Sequence, residues 1–420
     1  MSQNCPDVQP LGKNFFLGRQ PIVNRAQELF AYELLFRATK SNGAYITDDF
    51  SATAAVIAHA AELGMEQVLG NFLGFINIDA QVLLSDFIKF LPRDKVVLEI
   101  LETVKATPDV LARIGEMNAA GFTFALDDVI SDSEDVRKLI PLVEVVKVDI
   151  TGIAPVALSA LAQKLRSPQR KLLAEKVETV AEFDRCMALG FDYFQGYYFA
   201  KPVILSGKKL TSSELSIMRL LSLIDSDADN REIERQIKHD PLISINLLRM
   251  VNTPAAGSKR RIDSVAQALL SLGRRQLQRW LQILLYAKPG KGGAFSSPLL
   301  QLASTRGKLL ELIAEKRFPG QRIIADIAFT VGVMSNMDAL FSIPMDHLLA
   351  KLNVADDVSA ALLHRTGNYG DMLRLVELIE SVEDAGPALL PAMQALGLNT
   401  DELYEIQLVA FEWVNKITPV

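Results

Sequence analysis

The chain has 420 residues, 49% of them apolar and 22% charged, with a formal net charge of −6. It is too long for one ordinary core and too apolar for a disordered chain, so two domains of similar size are expected. The acidic balance argues against nucleic acid as a default partner, and the widely separated Cys5 and Cys186 offer neither a disulfide framework nor a zinc site, which fits a reducing compartment.

The opening stretch MSQNCPDVQPLGKN is polar and lacks the apolar core of a signal peptide. No continuous apolar run approaches the roughly 18–20 residues that cross a bilayer, so a cytoplasmic protein without membrane contact is expected. Short β-rich runs then alternate with helical patterns. The predicted strands cover 15–23, 28–38, 74–79, 96–101, 123–129, 145–150, 172–177 and 191–199, and several are continuously apolar, as strands covered on both faces should be. Helical patterns such as 51–69 and 108–121 lie between most of them, the latter closing on Gly121. This alternation predicts a (β/α)8 TIM-like barrel over residues 1–205. Only the short turn NRAQ joins the first two runs, which predicts an antiparallel opening pair.

After residue 205 the pattern becomes helical, with apolar periodicities at 213–224, 242–252, 264–273, 276–287, 299–316 and 371–382. Residues 206–420 should form an all-α domain, with one Gly/Pro/Ser-rich loop at 288–298.

Glu33, Asn77, Glu99, Asp127 with Asp128, Lys147, Glu175 and Gln195 each lie on, or at the C-terminal end of, a different apolar run. In a barrel these ends converge on one face. Any single acid reads as a solvated strand end, and Lys147 with Asp149 reads as a simple ion pair. The set does not. Clustered carboxylates repel unless cations occupy the cluster, and an all-oxygen donor set selects Mg2+ or Mn2+ over zinc. Two such ions bridged by an Asp suit phosphodiester hydrolysis, with Lys147 beside the attacking water.

The segments GRQPIVNRAQELFAYELLFR, FINID, LEILE, ALDD, VKVD, AEKVET and FQGYYFAKP, in this order, resemble EAL domains over residues 15–205. Glu33-Leu34-Leu35 stands where the family has Glu-Ala-Leu. The resemblance implies hydrolysis of cyclic di-GMP to linear pGpG. It implies a first metal held by Glu33, Asn77, Glu99 and Asp127, and a second shared by Asp127 and Asp128. Glu175 would serve as a ligand or base, Glu178 would support the site, and Gln20, Arg37 and Gln195 would contact the substrate. One departure stands out. The family continues Asp-Asp-Phe-Gly-Thr-Gly, whereas this chain reads Asp127-Asp128-Val129-Ile130-Ser131-Asp132-Ser133, without the glycines that permit the usual path. Glu102, the family's anchor for that loop, remains. Metal is therefore expected to bind less firmly.

Residues 239–281, 328–353 and 361–380 are similar to HDOD domains, a branch of the HD superfamily. Metal chemistry is not expected there. The chain has four histidines, His59, His239, His347 and His364. His239-Asp240 precedes Pro241 and reads as a helix cap, and Ser335-Asn336-Met337 stands where a catalytic member would carry its pair. Arg260, Arg261, Arg274, Arg275 and Arg279 form a basic cluster that reads as a solvated helix face. The module is expected to regulate or to bind a protein partner, with monomer and homodimer both open. A catalytically inactive cyclic di-GMP receptor and a nucleotide-free adaptor are the alternatives.

Overall fold

The computed structural model describes residues 15–38, 65–196, 212–252, 262–286, 298–341, 343–352, 354–381 and 388–417. Eight strands close a barrel in sequence order: β1 Phe15–Asn24, β2 Leu29–Ala38, β3 Leu73–Ile78, β4 Val96–Ile100, β5 Thr123–Leu126, β6 Val145–Asp149, β7 Lys171–Glu175 and β8 Tyr193–Phe194. Neighbours from β2 to β8 run parallel, while β1 is antiparallel to both β2 and β8. The reversal is built locally. Asn24 Oδ1 accepts the amide hydrogens of Ala26 and Glu28 at 2.8 and 3.0 Å, and Gln27 takes a φ of 59°, closing a turn too short for a crossover.

The connecting helices are α1 Met65–Leu69, α2 Ala80–Leu84, α3 Pro108–Ala119, α4 Glu134–Leu139, α5 Pro155–Leu165 and α6 Val180–Leu189. The rest of the helix predicted over 51–69 lies outside the described residues. In α3 the Thr107 side chain caps the first turn, Pro108 sits at the first position, and the chain leaves through Gly121 with a positive φ. In α6, Thr179 and Glu182 form a reciprocal capping box.

Two-residue periodicity arranges the barrel interior in layers. Ile22, Ala31, Phe75, Val97, Ala125, Val145 and Leu173 pack together as a buried apolar layer. Two residues toward the C-terminal end of each parallel strand, the same face carries Glu33, Asn77, Glu99, Asp127, Lys147 and Glu175. On the reversed β1 the step runs backwards, from Ile22 to Gln20, and Gln20 pairs across from Glu33. The apolar layer keeps water out from below, and the polar layer forms the mouth.

The rest of the chain is helical: α7 Ser212–Asp225, α8 Asn230–Lys238, α9 Pro241–Val251, α10 Val265–Tyr286, α11 Pro298–Arg317, α12 Arg322–Met334, α13 Met337–Phe341, α14 Met345–Leu352, α15 Asp356–His364, α16 Gly367–Glu380, α17 Leu389–Ala395 and α18 Thr400–Ile417. The patterns at 264–273 and 276–287 run into one bent helix, α10, broken where Gly273 adopts φ 71° and ψ 165°. Apart from Pro298, which opens α11, the loop at 288–298 lies outside the described residues. Helix α11 is buried along most of its length and packs against α12, α16 and α18.

Three expectations need adjustment or gain support here. The stretch Arg322–Phe341 reaches membrane-crossing length and composition although polar residues interrupt it, and 67% of its apolar window is buried inside the protein. Asp240 Oδ1 accepts the Ile243 amide at 3.2 Å at the start of α9, so the His-Asp pair does act as a cap. The described arginines of the basic cluster are ion-paired rather than merely solvated. Arg274 binds Asp227, Arg275 lies 2.8 Å from Asp326, and Arg279 bridges Glu311 and Asp326. Arg260 and Arg261 lie outside the described residues.

Candidate active site

Lys147 is the hub of the barrel mouth. Its Nζ lies 2.8 Å from Glu99, 2.8 Å from Asp127, 2.9 Å from Glu175 and 3.3 Å from Glu33. All five side chains are buried. The bland alternative, a simple ion pair of Lys147 with Asp149, does not occur. Asp149, two residues past Lys147 on the same alternation at the end of β6, binds Lys176 at 2.7 Å instead.

Glu33 is the best-satisfied carboxylate. It accepts from Asn77 Nδ2 at 3.1 Å and from Gln195 Nε2 at 2.6 Å, and Gln195 Nε2 also donates to Gln20 Oε1 at 2.9 Å. Gln195 is fixed by a close approach behind it. Gly196 has a φ of 147°, and a Cβ there would stand 2.4 Å from Val177 N and O. The Val177 amide donates to Gln195 O, and the Gln195 amide to Ala174 O. Only glycine fits that corner.

A second donor set adjoins the first. Glu102, Asp127 and Asp128 each present a carboxylate oxygen within 4.8 Å of the others, so Asp127 belongs to both groups. Glu102 was missed as a candidate ligand, although the second acid of LEILE placed it two residues past β4. Asp128 holds a φ of 44°, a conformation that costs energy for a residue with a Cβ. Beyond it the glycine-free loop is tied down by the Val129 amide donating to Lys147 O and by Ser133, which caps α4. Asp132 there binds Arg137 and Lys164.

The electrostatics of the mouth favour bound cations. Four carboxylates against one ammonium leave three formal negative charges in excess. Burial, with repulsion from Glu33, pushes the Glu99 carboxyl well above its ordinary range, although Lys147 opposes it. Burial likewise raises Asp127 and Asp128. Glu175 is pushed up to about 8, chiefly by burial and then by Asp127 and Glu33 against the pull of Lys147. In Glu33, burial is outweighed by Lys147 and by the hydrogen bonds from Gln195 and Asn77, so its pKa is lowered. Lys147 is itself buried, yet the surrounding carboxylates hold it well above the usual lysine range. Among the described residues, no hydrogen bond reaches the buried Glu99 Oε2 or Glu175 Oε2. Orphaned, oxygen-only and anionic, this donor set fits hard divalent ions.

Glu178 and Arg37 complete the predicted set. Glu178 is exposed just beyond β7, where its amide donates to Glu182. Arg37 lies on β2, but its side chain falls outside the described residues.

The helical half holds a different kind of centre. The buried Arg306 donates to Glu380 at 2.6–3.0 Å and to Ser335 Oγ at 3.0 Å, with Glu377 at 3.5 Å. A guanidinium is thus the cation beside Ser335. His239, His347 and His364 are exposed and far apart in the sequence, and His59 lies outside the described residues.

A family model described as EAL domain matches residues 9–202, and one described as HDOD domain matches residues 210–344. The chain is 30% identical over 411 residues to Bacillus subtilis (strain 168) YuxH, covering 96% of this chain and 98% of that protein. It is also 30% identical over 410 residues to a Vibrio cholerae protein named cyclic di-GMP phosphodiesterase CdgJ, covering 96% of this chain and 93% of that one. A solved standalone EAL protein from Vibrio cholerae O395, in a c-di-GMP-bound form, is similar at a TM-score of 0.35 and 26% identity, over 46% of this chain and 93% of that chain.

Proposed function

The chain belongs to the family of proteins that join an EAL domain to an HDOD domain, and on that footing we propose a divalent-metal-dependent phosphodiesterase that hydrolyses cyclic di-GMP to pGpG. The name of the CdgJ relative supports the substrate. The carrying observation is the buried excess of carboxylate around Lys147 at the mouth of a closed barrel. In this reading residues 1–205 are catalytic, residues 206–420 regulate them or bind a protein partner, and the protein works in the cytoplasm.

Glu33, Asn77, Glu99, Asp127, Asp128 and Glu175 are the residues that would hold Mg2+ or Mn2+, with Glu102 beside Asp127 and Asp128. When bound, such ions supply Lewis acidity to water and screen a phosphodiester. The chain's own groups do the rest. Lys147 keeps four acids in one place and contributes a fixed positive charge against the developing oxyanion. Glu175, buried beside Lys147 at the mouth, suits a ligand or general-base role. Gln195 and Gln20, linked through one amide hydrogen bond, present polar edges to the nucleotide.

The loop after Asp128 favours a second reading, a receptor that binds cyclic di-GMP without turnover, because residues 129–133 replace the family's glycines. Purified protein incubated with cyclic di-GMP and Mn2+ separates the two. Linear pGpG supports the enzyme. Its absence, at a level where Glu33→Ala also gives none, refutes turnover, and calorimetry then shows whether the nucleotide still binds.

A further inference from the structure

We infer that the C-terminal helix α18 acts on the barrel mouth through β1, with Arg19 as the positioning residue that holds the outer side of the strand. The inference rests on the reading of the mouth as a nucleotide site. It adds to that reading a physical route by which the helical half influences the site.

Helix α18 is buried on two faces at once. Tyr404, Leu408, Phe411 and Asn415, spaced by three or four residues, share one face. Tyr404 and Phe411 are buried within the apolar shell that surrounds the barrel, and Leu408 packs against it. The opposite face carries Leu403, Ile406, Ala410 and Trp413, which pack into the helical core, with Trp413 edge-on to Phe329 at 5.9 Å. A helix shared by two cores cannot shift relative to one without disturbing the other.

The grip falls on β1. Gln407, fully buried, donates its Nε2 hydrogen to Leu17 O at 2.6 Å. Two residues on, Arg19 lies with its guanidinium 3.8 Å from the Phe411 ring and 4.3 Å from the Tyr32 ring, and Nη1 donates to Val68 O at 2.6 Å. No carboxylate is among its described partners. A cation so placed depends on the ring faces and on that one carbonyl for what water would otherwise supply. Asn415 extends the clasp to the last turn of α1, donating to Gln67 O at 2.9 Å. It packs so closely on Gly70 that a Cβ there would meet its side chain at 2.9 Å.

The next residue faces the other way. Gln20 points to the mouth, pairs across from Glu33, and accepts the Gln195 hydrogen bond at 2.9 Å. Gln195 binds Glu33 with the same nitrogen at 2.6 Å. Because successive residues of a strand project to opposite faces, a displacement of Arg19 is a displacement of Gln20. Hydrogen bonds of this length do not survive a shift of about 1 Å.

The test uses the full chain with cyclic di-GMP and Mn2+. Phe411→Leu keeps the site apolar but removes the ring from Arg19, and Arg19→Lys keeps the charge but removes the planar fork; neither touches the proposed catalytic groups. Both are expected to raise KM by about fivefold or more, within the usual range of intramolecular coupling, with kcat changed less than about twofold. In a Gln20→Ala background the same substitutions should have no further effect on KM. Equal losses in both backgrounds, or no loss in either while the wild type turns over, would overturn the inference and leave the phosphodiesterase reading intact. Hydrogen exchange decides the mechanical link even if no nucleotide is hydrolysed. Faster exchange over 17–24 in Phe411→Leu, with β4 to β6 unchanged, supports it. Unchanged exchange over 17–24 overturns it.

Discussion

Lys147 Nζ lies 2.8 Å from Asp127 Oδ1, and Asp127 is the acid common to both donor groups at the barrel mouth. One ammonium therefore touches the residue best placed to bridge two ions. In the metal-free protein, Lys147 carries the burden of neutralising the cluster.

Removing that charge should be severe. Lys147→Met leaves four buried carboxylates facing one another, and breaking a buried charge cluster costs about 3–5 kcal/mol. Urea unfolding of the metal-free variant should show this loss. Millimolar Mn2+ should recover part of the stability but not the hydrolysis.

The pH dependence should run opposite to that of most acid-rich proteins. Glu99, Asp127 and Glu175 are held above their ordinary range, chiefly by burial, and Glu175 reaches about 8. A carboxyl with a raised folded pKa binds more protons folded than unfolded, so its contribution falls as pH rises between the two values. Asp128 is raised as well, and Glu33, lowered on balance, is one group running the other way against these four. The metal-free protein should melt at a lower temperature at about pH 8 than at about pH 5.5, and saturating Mg2+ or Mn2+ should flatten or reverse that slope, because the cations bind the deprotonated acids. Thermal melts across this range, with and without metal, check the sign.

Gly196→Ala tests the corner behind Gln195. The added Cβ meets the Val177 backbone at 2.4 Å, so the strand end must move. We expect a stability loss of about 1–3 kcal/mol, and a rate loss of more than about tenfold as Gln195 leaves Glu33. Circular dichroism melts and steady-state kinetics measure the two effects separately.

Arg306→Met should damage only the helical half. It removes the cation held by Glu380 and Ser335, at a cost of about 3–5 kcal/mol there. Metal affinity at the barrel mouth, measured by calorimetry, should stay unchanged as long as the fold survives.

The layered interior was legible because strand periodicity is a local property. Ala31 and Glu33, or Val145 and Lys147, announce their shared face by spacing alone, and the turn between Asn24 and Glu28 announces the reversed β1. The partners of Lys147 were less legible, since Asp149 shares its strand face but is taken by Lys176, whereas the acids that bind Lys147 come from four other strands or strand ends. The pairing of Arg275 and Arg279 with Asp326 was hidden for a related reason. It joins two helices whose crossing no single helix specifies. Least visible was the grip of Gln407 and Phe411 on β1, which links residues almost four hundred positions apart and leaves no trace in local pattern.

Diffraction from Mn2+-soaked crystals, recorded at the manganese absorption edge, tests the central claim most directly. The account predicts anomalous peaks within the donor set of Glu33, Asn77, Glu99 and Asp127, or in that set and among Glu102, Asp127 and Asp128. Peaks confined to surface acids such as Glu178, with the mouth empty at saturating metal, would contradict it.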